Sequence, residues 1–423
     1  MIYVTLILML GLMVASISVA AVLGLLGLAL DQLYSFFPLN RALGELAWST
    51  STESTMVAIP LFILLGQLML RSGMAADMYS SMRSWLGWLP GGLMHANIGA
   101  SALFAATSGS SVATAATLTT VALPEAKANG YNERLFTGTL AAGGTLGILI
   151  PPSINLILYA VMTDTSVTRL YLSAIVPGLI MALLFSLTVI AICIVRPGMG
   201  GRRMQTGWAD RIRTLPGLLP PVVVFVAIVG SIYGGLATPT ESAALGVAVS
   251  AAICFWRRQL TLEIVRAVLL STMESTAMIM LIVIAASFLN FVLSGIGIVS
   301  EVTSALDATG LSPLSVMLLI IGFYVVLGCV MESLSLMIAT TPVFAPVVVG
   351  LGYDPIWFGV LLMIVIEMAL ITPPVGMNLY VVQGVRKRGS IIDVMIGCVP
   401  FIISMFVMIV LLLAMPQIAL LAR

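Results

Sequence analysis

Small hydroxyl side chains and proline pairs stand in stretches of this chain that are otherwise apolar. Residues 84–124 contain no Asp, Glu, Lys or Arg, yet Thr107-Ser108-Gly109-Ser110-Ser111 lies at their centre. The run Ile150-Pro151-Pro152-Ser153 follows, and its Pro-Pro step recurs at Pro373-Pro374, 222 residues later (373 − 151). Proline ends a helix because it lacks a donor and clashes with the carbonyl four residues back, which leaves backbone oxygens free. Hydroxyl and carbonyl oxygens together suit a small hard cation.

Sodium is the natural candidate for that cation. We expect a first site from the hydroxyls of Ser108 and Ser110 together with the carbonyls of Gly147, Ile150 and Pro152. The alternative for each hydroxyl is structural, because Ser and Thr oxygens also cap the first turns of helices. Both interpretations stay open for the two serines.

Two acids are isolated inside apolar runs. Glu332 lies in Met331-Glu332-Ser333-Leu334-Ser335, and Glu367 comes shortly before Thr372-Pro373-Pro374. An ionisable side chain at membrane depth is costly, so each is a candidate functional residue. Either could neutralise a cation or bind a proton; the alternative is a carboxylate that accepts from backbone N–H groups at a helix start.

The same segments contain no Lys or Arg, which limits how an anion could be held there. The helix starts after Pro152 and Pro374 offer free N–H groups and a partial positive charge. Asn378, just beyond the second Pro-Pro step, is placed to receive a substrate carboxylate. The residues that we expect on the substrate side are Ser111, Ser153, Asn155, Glu332, Ser333, Ser335 and Asn378.

The composition predicts an all-α polytopic membrane protein. The chain is 60% hydrophobic and 8% charged with a mean hydropathy of +1.16, against about 25% charged residues in soluble domains. The sequence has no G-x-x-x-x-G-K-[ST] nucleotide loop, no H-E-x-x-H metal motif and no recognisable nucleophile and base pair, so we expect neither an enzyme nor an organic cofactor. The net charge of +1 gives no reason to expect a nucleic-acid partner.

Self-comparison at the offset of 222 predicts two repeats. Beside the Pro-Pro steps, it aligns Pro124 with Pro346, Gly130 with Gly352, Tyr131 with Tyr353 and Phe136 with Phe358. We assign residues 1–200 to the first repeat, 201–214 to a cytoplasmic linker and 215–423 to the second repeat.

Each repeat is predicted to contain a re-entrant helical hairpin followed by a proline-broken helix. The hairpins cover about 97–123 and 314–347, with arms too short to cross a membrane, and the broken helices cover 135–162 and 356–385. The other segments also occur in pairs, one in each repeat. Two helices from 2–30, split near 15–18, correspond to 215–236 and 240–256. The arms are 37–52 and 257–273, the following spans are 53–70 and 274–293, and the closing spans are 170–195 and 391–421.

These segments make ten crossings, five in each repeat, and an odd number inverts the second repeat relative to the first. With both termini in the periplasm, three basic residues lie outside (Arg41, Arg169, Arg423) and fifteen lie inside: Arg71, Arg83, Lys127, Arg134, Arg196, Arg202, Arg203, Arg211, Arg213, Arg257, Arg258, Arg266, Arg386, Lys387 and Arg388. That bias agrees with the positive-inside rule. Two opposed hairpins and two broken helices that converge near the midplane are typical of secondary transporters.

At these motifs the chain resembles the large membrane subunit of the tripartite ATP-independent periplasmic (TRAP) transporters. The resemblance covers nearly the whole chain, and it is carried by Ser108-Gly109-Ser110-Ser111, Leu149-Ile150-Pro151-Pro152-Ser153 and the run from Glu367 to Asn378. It implies an elevator-type, sodium-driven importer in the bacterial inner membrane. The substrate would be an organic acid such as a C4-dicarboxylate or a sialic acid, delivered by a periplasmic binding protein to this chain and a small four-helix membrane subunit.

The resemblance also implies a second sodium site at the second helix break. Its ligands would come from Thr372, Gly376 and Met377, with a hydroxyl of the second hairpin. That hydroxyl is uncertain between Ser333, Ser335 and Thr340, because Glu332-Ser333-Leu334-Ser335 departs from the Asp and small-residue pattern common in the family.

Two other readings remain. The first is a two-hairpin symporter that carries divalent anions with sodium and needs no partner subunits. The second is a membrane receptor or scaffold, which would have no need for two polar tips that face two broken helices. The sequence does not identify the organic acid.

Overall fold

The computed structural model describes residues 1–15, 17–202, 206–298, 300–301, 304 and 310–420, and every regular element in these ranges is helical. Two of the basic residues used to orient the chain, Arg203 and Arg423, lie outside them. The helices are α1 (Ile2–Val14), α2 (Val19–Tyr34), α3 (Leu43–Thr52), α4 (Ala58–Arg71), α5 (Met74–Leu86), α6 (Leu93–Ser108), α7 (Ser111–Ala128), α8 (Glu133–Leu149), α9 (Ile154–Met162), α10 (Val167–Val195), α11 (Trp208–Thr214), α12 (Leu219–Phe225), α13 (Ser231–Tyr233), α14 (Pro239–Trp256), α15 (Leu262–Gly295), α16 (Pro313–Gly328), α17 (Ser333–Gly350), α18 (Pro355–Ala369), α19 (Met377–Arg386), α20 (Ile391–Ala414) and α21 (Gln417–Leu420).

Fewer helices than predicted are long enough to cross a membrane alone. In the described part of the chain six helices have the length and hydropathy of a membrane span, or up to eight if each of two bent pairs counts as one. The predicted ten crossings included α1 and α2, which have 13 and 16 residues, and the broken helix 356–385, whose two parts α18 and α19 have 15 and 10 residues. Since about 20 residues cross the hydrocarbon core, these short helices do not qualify by length.

Several predicted boundaries differ from the structure. The split of the first apolar run is confirmed, because α1 ends at Val14 and α2 begins at Val19. The separation of arm 257–273 from span 274–293 is wrong: α15 is continuous over 34 residues, since neither Pro nor Gly interrupts it before Gly295. The corresponding separation in the first half is confirmed, because Glu53 has an extended backbone with ψ 129° and ends α3 before the helices that follow. The last span stops at Ala414, just before Pro416.

Both predicted hairpin regions consist of two helices joined by a short connection. Gly109 and Ser110 join α6 to α7, and Gly109 adopts φ +59°, a left-handed conformation that suits glycine. The helices exceed the predicted arms, with 16 residues in α6 and 18 in α7. Both bounds of α17 differ from those of α7 by 222 residues (333 − 111 and 350 − 128).

The two Pro-Pro steps interrupt helices as predicted, and the two interruptions differ in exposure. Helices α8 and α9 meet at an angle of 42° around Ile150–Ser153, and all four residues of that break are buried. The second break separates α18 from α19, and its residues Pro373, Pro374 and Val375 are exposed. Both steps contain a cis peptide bond.

Helices α8 and α18 lie at the centre of the molecule. Every residue of α8 from Leu135 to Leu149 is buried, as is every residue of α18 from Ile356 to Ala369. Gly138 of α8 lies against the backbone of Gly397 in α20, so closely that a Cβ would overlap it. At the same end Arg386 bonds Glu133 at 2.9 Å between Nε and Oε1, and it is only 4% exposed. These contacts attach helices from the second half of the chain to α8.

Candidate functional site

The turn between α6 and α7 packs against the first helix break. A Cβ on Gly109 would lie 3.1 Å from the carbonyl oxygen of Pro152, and one on Gly147 would lie 2.7 Å from the carbonyl oxygen of Ser110. Both glycines are therefore needed for the backbones to approach this closely. The structure thus brings Ser108, Ser110, Gly147 and Pro152 together, as the first predicted cation site requires.

The two serine hydroxyls of this turn have different partners. Ser110 caps α7, because its Oγ accepts a hydrogen bond from the Ala113 N–H at 3.3 Å. Ser108 Oγ lies 3.1 Å from Thr114 Oγ1, and its residue is buried. The capping alternative is therefore real at Ser110. The cap uses only one of the two lone pairs of Ser110 Oγ, so the same oxygen can also bind a cation.

Ile150, whose carbonyl belongs to the first predicted cation site, lies at the end of α8. It ends α8 in an extended conformation, with ψ 121°, and its N–H donates to the carbonyl of Leu146. Its side chain lies beside Gly178 of α10, where a Cβ would be 2.9 Å from Ile150 Cγ1. The side chain thus packs on α10 as an anchor for the broken backbone.

Ser111 connects the first helix pair to the second broken helix. Its hydroxyl donates to Glu367 Oε1 at 2.6 Å, and both residues are buried. The second oxygen, Oε2, is buried without a partner in the described part of the molecule. The structural alternative for Glu367, backbone N–H donors at a helix start, does not apply, since the residue lies near the end of α18.

A cavity of about 180 Å³ lies where the two short connections meet. Ser108, Ser110, Ser111, Asn155, Glu332 and Ser333 from the predicted set line it, together with residues of α4 and α15. Among the described residues that line it, Glu332 is the only charged one, and none is Lys, Arg or His. The wall is therefore made of neutral hydroxyls, amides and one carboxylate.

Glu332 is fixed by the start of α17. Its Oε2 accepts from the backbone N–H of Ser335 at 2.9 Å, and its Oε1 accepts from the Ser333 hydroxyl at 3.0 Å. The helix-capping interpretation is thus correct for Glu332, which also lines the cavity. Ser335 contributes its backbone to that cap and is absent from the cavity lining.

The residues of the second predicted cation site lie around the exposed break. Thr372 Oγ1 donates to the Met368 carbonyl at 2.7 Å, and the Gly376 N–H donates to the Cys329 carbonyl at 3.3 Å. Met377 begins α19 and is half-buried. Thr340 lies inside α17, where its Oγ1 donates to Tyr324 Oη at 2.6 Å.

Three further polar residues of the predicted set are buried with an atom that has no partner among the residues that the structure describes. These atoms are Ser153 Oγ, Asn155 Nδ2 and Asn378 Oδ1. The side chain of Asn378 donates to the Ala141 carbonyl at 3.3 Å, so it links α19 to α8. Buried polar atoms are usually satisfied, so the unpartnered atoms of these three residues make them candidates for contact with a ligand, an ion or water.

Two residues of the cavity lining with polar side chains escaped prediction. Gln67 of α4 and Ser275 of α15 line the cavity opposite the tips. Gln67 is the only side chain with a polar amide or hydroxyl group in the apolar stretch from Ala58 to Leu70, a signal that could have drawn attention to it. Ser275 has no such signal, because it lies in a run of hydroxyl residues.

Comparison with known proteins agrees with this architecture. The family model for the DctM component of the tripartite ATP-independent periplasmic transporter matches residues 5–418. The chain is similar to the C4-dicarboxylate TRAP transporter large permease protein DctM of Pseudomonas aeruginosa, with 34% identity over 90% of this chain and 88% of that protein. It is also similar to the DctM large permease of Vibrio cholerae, with 31% identity over 98% and 95%.

A solved structure shares the fold. The Alcanivorax borkumensis YdaH transporter superposes with a TM-score of 0.72 at 15% identity, over 94% of this chain and 96% of that one. Since the family match spans nearly all of the sequence, this chain belongs to the DctM family, the large membrane permease components of TRAP transporters, and is a transport component, not an enzyme.

Proposed function

We propose that this chain carries a small carboxylate across the bacterial inner membrane together with sodium, and that the 180 Å³ cavity is where the carboxylate binds. The supporting observation is the charge of the cavity wall, which holds one acid and no basic side chain. An anion placed beside Glu332 at membrane depth would be repelled and poorly solvated. A bound cation is the simplest compensation, and it makes substrate binding depend on that cation.

The residues present fit sodium chemically. Hydroxyl and carbonyl oxygens are the hard ligands that such an ion prefers, and the first site would use Ser108, Ser110, Gly147, Ile150 and Pro152. A second ion would be held near Thr372, Gly376 and Met377. When bound, sodium supplies positive charge beside the cavity; the chain's own donors, above all Asn155 and the start of α9, orient the carboxylate.

We further propose an elevator-type arrangement of two inverted repeats, 1–200 and 215–423, joined by 201–214. The recurrence of helix bounds at 222 residues supports it, as does the distribution of basic residues. In this arrangement the hairpins and broken helices carry the substrate past α4 and α15, which stay in place. Both termini would lie in the periplasm.

The substrate class follows from the cavity and the relatives. A volume of 180 Å³ is below the roughly 300–1,000 Å³ of pockets for drug-sized ligands, so it suits an acid of a few carbons. The Pseudomonas and Vibrio relatives are named for C4-dicarboxylates. We therefore propose a C4-dicarboxylate or a similarly small acid in preference to a sialic acid.

Reconstitution into vesicles tests the proposal. The chain is inserted with a small TRAP membrane subunit from the same organism, and radiolabelled succinate, fumarate or malate is added with a TRAP periplasmic binding protein from that organism. We expect uptake only with an inward sodium gradient and all three proteins. Uptake that ignores sodium would overturn the coupling, and equal uptake of free substrate by this chain alone would favour the stand-alone symporter.

A further inference from the structure

The cavity has a second wall that belongs neither to the hairpins nor to the broken helices. Its residues come from α4 and α15: Ile63, Gly66, Gln67, Leu70, Ser275, Met278 and Ile279. The first wall contains both tips and Asn155 of α9. A ligand in the cavity therefore touches two groups of helices.

Contact between the two walls is close at α4. A Cβ on Gly66 would lie 2.8 Å from the carbonyl oxygen of Ser108, nearer than real Cβ atoms come to other atoms. Glycine at this position lets α4 reach the tip of the first helix pair. Gln67, the next residue, is thereby placed at the edge of the cavity.

The polar groups of the first wall are mostly engaged with each other. The Ser111 hydroxyl donates to Glu367 and the Ser333 hydroxyl donates to Glu332. By contrast, Asn155 Nδ2 is buried without a partner, and its residue is 2% exposed. Among the residues that the structure describes, the side chains of Gln67 and Ser275 also form no hydrogen bond. The donors still free for an anion thus stand on both walls.

We propose that Gln67 and Ser275 are substrate ligands, so that the carboxylate is held between Asn155 on one wall and Gln67 on the other. This inference rests on the proposed function and adds a specificity-determining residue to it. An amide N–H bonds a carboxylate without adding charge, which suits a cavity that has no basic side chain. If the first wall moves relative to α4 and α15, the Gln67 contact is lost while the Asn155 contact travels with the substrate.

The test uses the complete three-protein transporter in vesicles with labelled succinate as the probe. Gln67→Leu keeps the approximate size and removes the donor. We expect the succinate concentration for half-maximal uptake to rise about ten- to hundredfold, as for a lost hydrogen bond to a charged group. The sodium concentration for half-maximal uptake, measured at saturating succinate, should not change. Gln67→Glu should weaken succinate uptake further, because it adds a second acid beside Glu332.

Gln417→Leu is the matched control, since Gln417 is exposed and does not belong to the cavity lining. A half-saturating succinate concentration that is unchanged in Gln67→Leu overturns the inference. If Gln67→Leu does not fold, the same measurement on Ser275→Ala and Gln67→Glu decides. This test is separate from that of the proposed function. Wild-type uptake that does not depend on sodium would contradict the proposed function, whereas the succinate titration alone decides the role of Gln67.

Discussion

The hydroxyl of Ser111 donates a 2.6 Å hydrogen bond to Glu367, although 256 positions of sequence separate the two residues. Ser111 begins α7 and Glu367 lies in the last turn of α18. The bond therefore joins the first hairpin region to the second broken helix, at a point where both side chains are buried. Candidate functional residues from the two halves of the chain are thus in direct contact.

We expect this pair to be coupled energetically. Ser111→Ala and Glu367→Ala each remove one partner, and hydrogen bonds between helices in membrane proteins contribute on average about 0.6 kcal/mol, with a maximum near 1.7. A double-mutant cycle on the unfolding free energy in detergent should return a coupling of that size. As a control, Ser51→Ala combined with Glu367→Ala should be additive, because the Ser51 hydroxyl is exposed and bonds the Ala47 carbonyl of its own helix. Additivity in the Ser111 cycle as well would contradict the expectation.

The second prediction concerns Gly147, where the backbones of α8 and of the turn between α6 and α7 approach closely. Gly147→Ala should reduce stability and sodium-dependent uptake, because its Cβ would lie 2.7 Å from the Ser110 carbonyl oxygen and 2.8 Å from the Ser111 nitrogen, both backbone atoms that cannot rotate away. Gly322→Ala is the matched control, since nothing lies within 4 Å of that position in α16. Removing a helical glycine there should be neutral or stabilise by up to about 1 kcal/mol. Melting temperatures and uptake rates of the two variants check this; a normal Gly147→Ala protein would show that the tip and the break are not held together.

Local sequence signals located both helix breaks and both hairpin regions. They work because Pro and Gly act on the backbone of their own segment, whatever surrounds it. Local signals do not indicate whether a break is buried or exposed. The two Pro-Pro steps are alike in sequence, yet Pro152 is covered by Gly109 while Pro373 and Pro374 are exposed. Burial depends on which other segment packs there, and composition does not encode it.

The partners of the candidate residues were equally beyond prediction. Glu367 was recognisable as an isolated acid, but its bond to Ser111 depends on how α7 and α18 meet. Thr340 was one of three possible hydroxyls for the second site, and its bond to Tyr324 depends on how α16 and α17 pack. Gln67 was not predicted because it stands alone in α4, outside the polar tips and the proline breaks.

The orientation of the chain supplies a third prediction. Fusions of alkaline phosphatase should be active at the C-terminus and after Arg169, and fusions of green fluorescent protein should glow after Arg134 and in the 201–214 linker. The physical reason is the excess of Lys and Arg in the loops assigned to the cytoplasm. A C-terminal phosphatase fusion that is inactive while the fluorescent fusion glows would refute the topology and the inverted repeat with it.

The last prediction concerns the first cation site and uses the cap at Ser110. A small hard cation needs about six oxygens, so a site built mainly of backbone carbonyls depends on each hydroxyl. Ser110→Ala should raise the sodium concentration for half-maximal uptake about 5- to 150-fold, which corresponds to about 1–3 kcal/mol for one buried polar group. The substitution also removes the cap that receives the Ala113 N–H, and Ser312→Ala is the control for that loss. Ser312 caps α16 in the same way, with the Ser315 N–H at 3.2 Å, but it is exposed and outside the cavity lining.

Asn378→Ala completes the comparison. Its amide nitrogen carries two N–H donors, and one of them bonds the Ala141 carbonyl at 3.3 Å. We expect the other to bond the substrate carboxylate, so the loss of Asn378 should raise the half-saturating substrate concentration more than the half-activating sodium concentration. Ser110→Ala should show the opposite order, and Ser312→Ala should change neither quantity. The three variants are compared by sodium and succinate titrations in the reconstituted transporter at equal protein incorporation. If Ser110→Ala behaves like Ser312→Ala, the hydroxyl of Ser110 is a helix cap and nothing more.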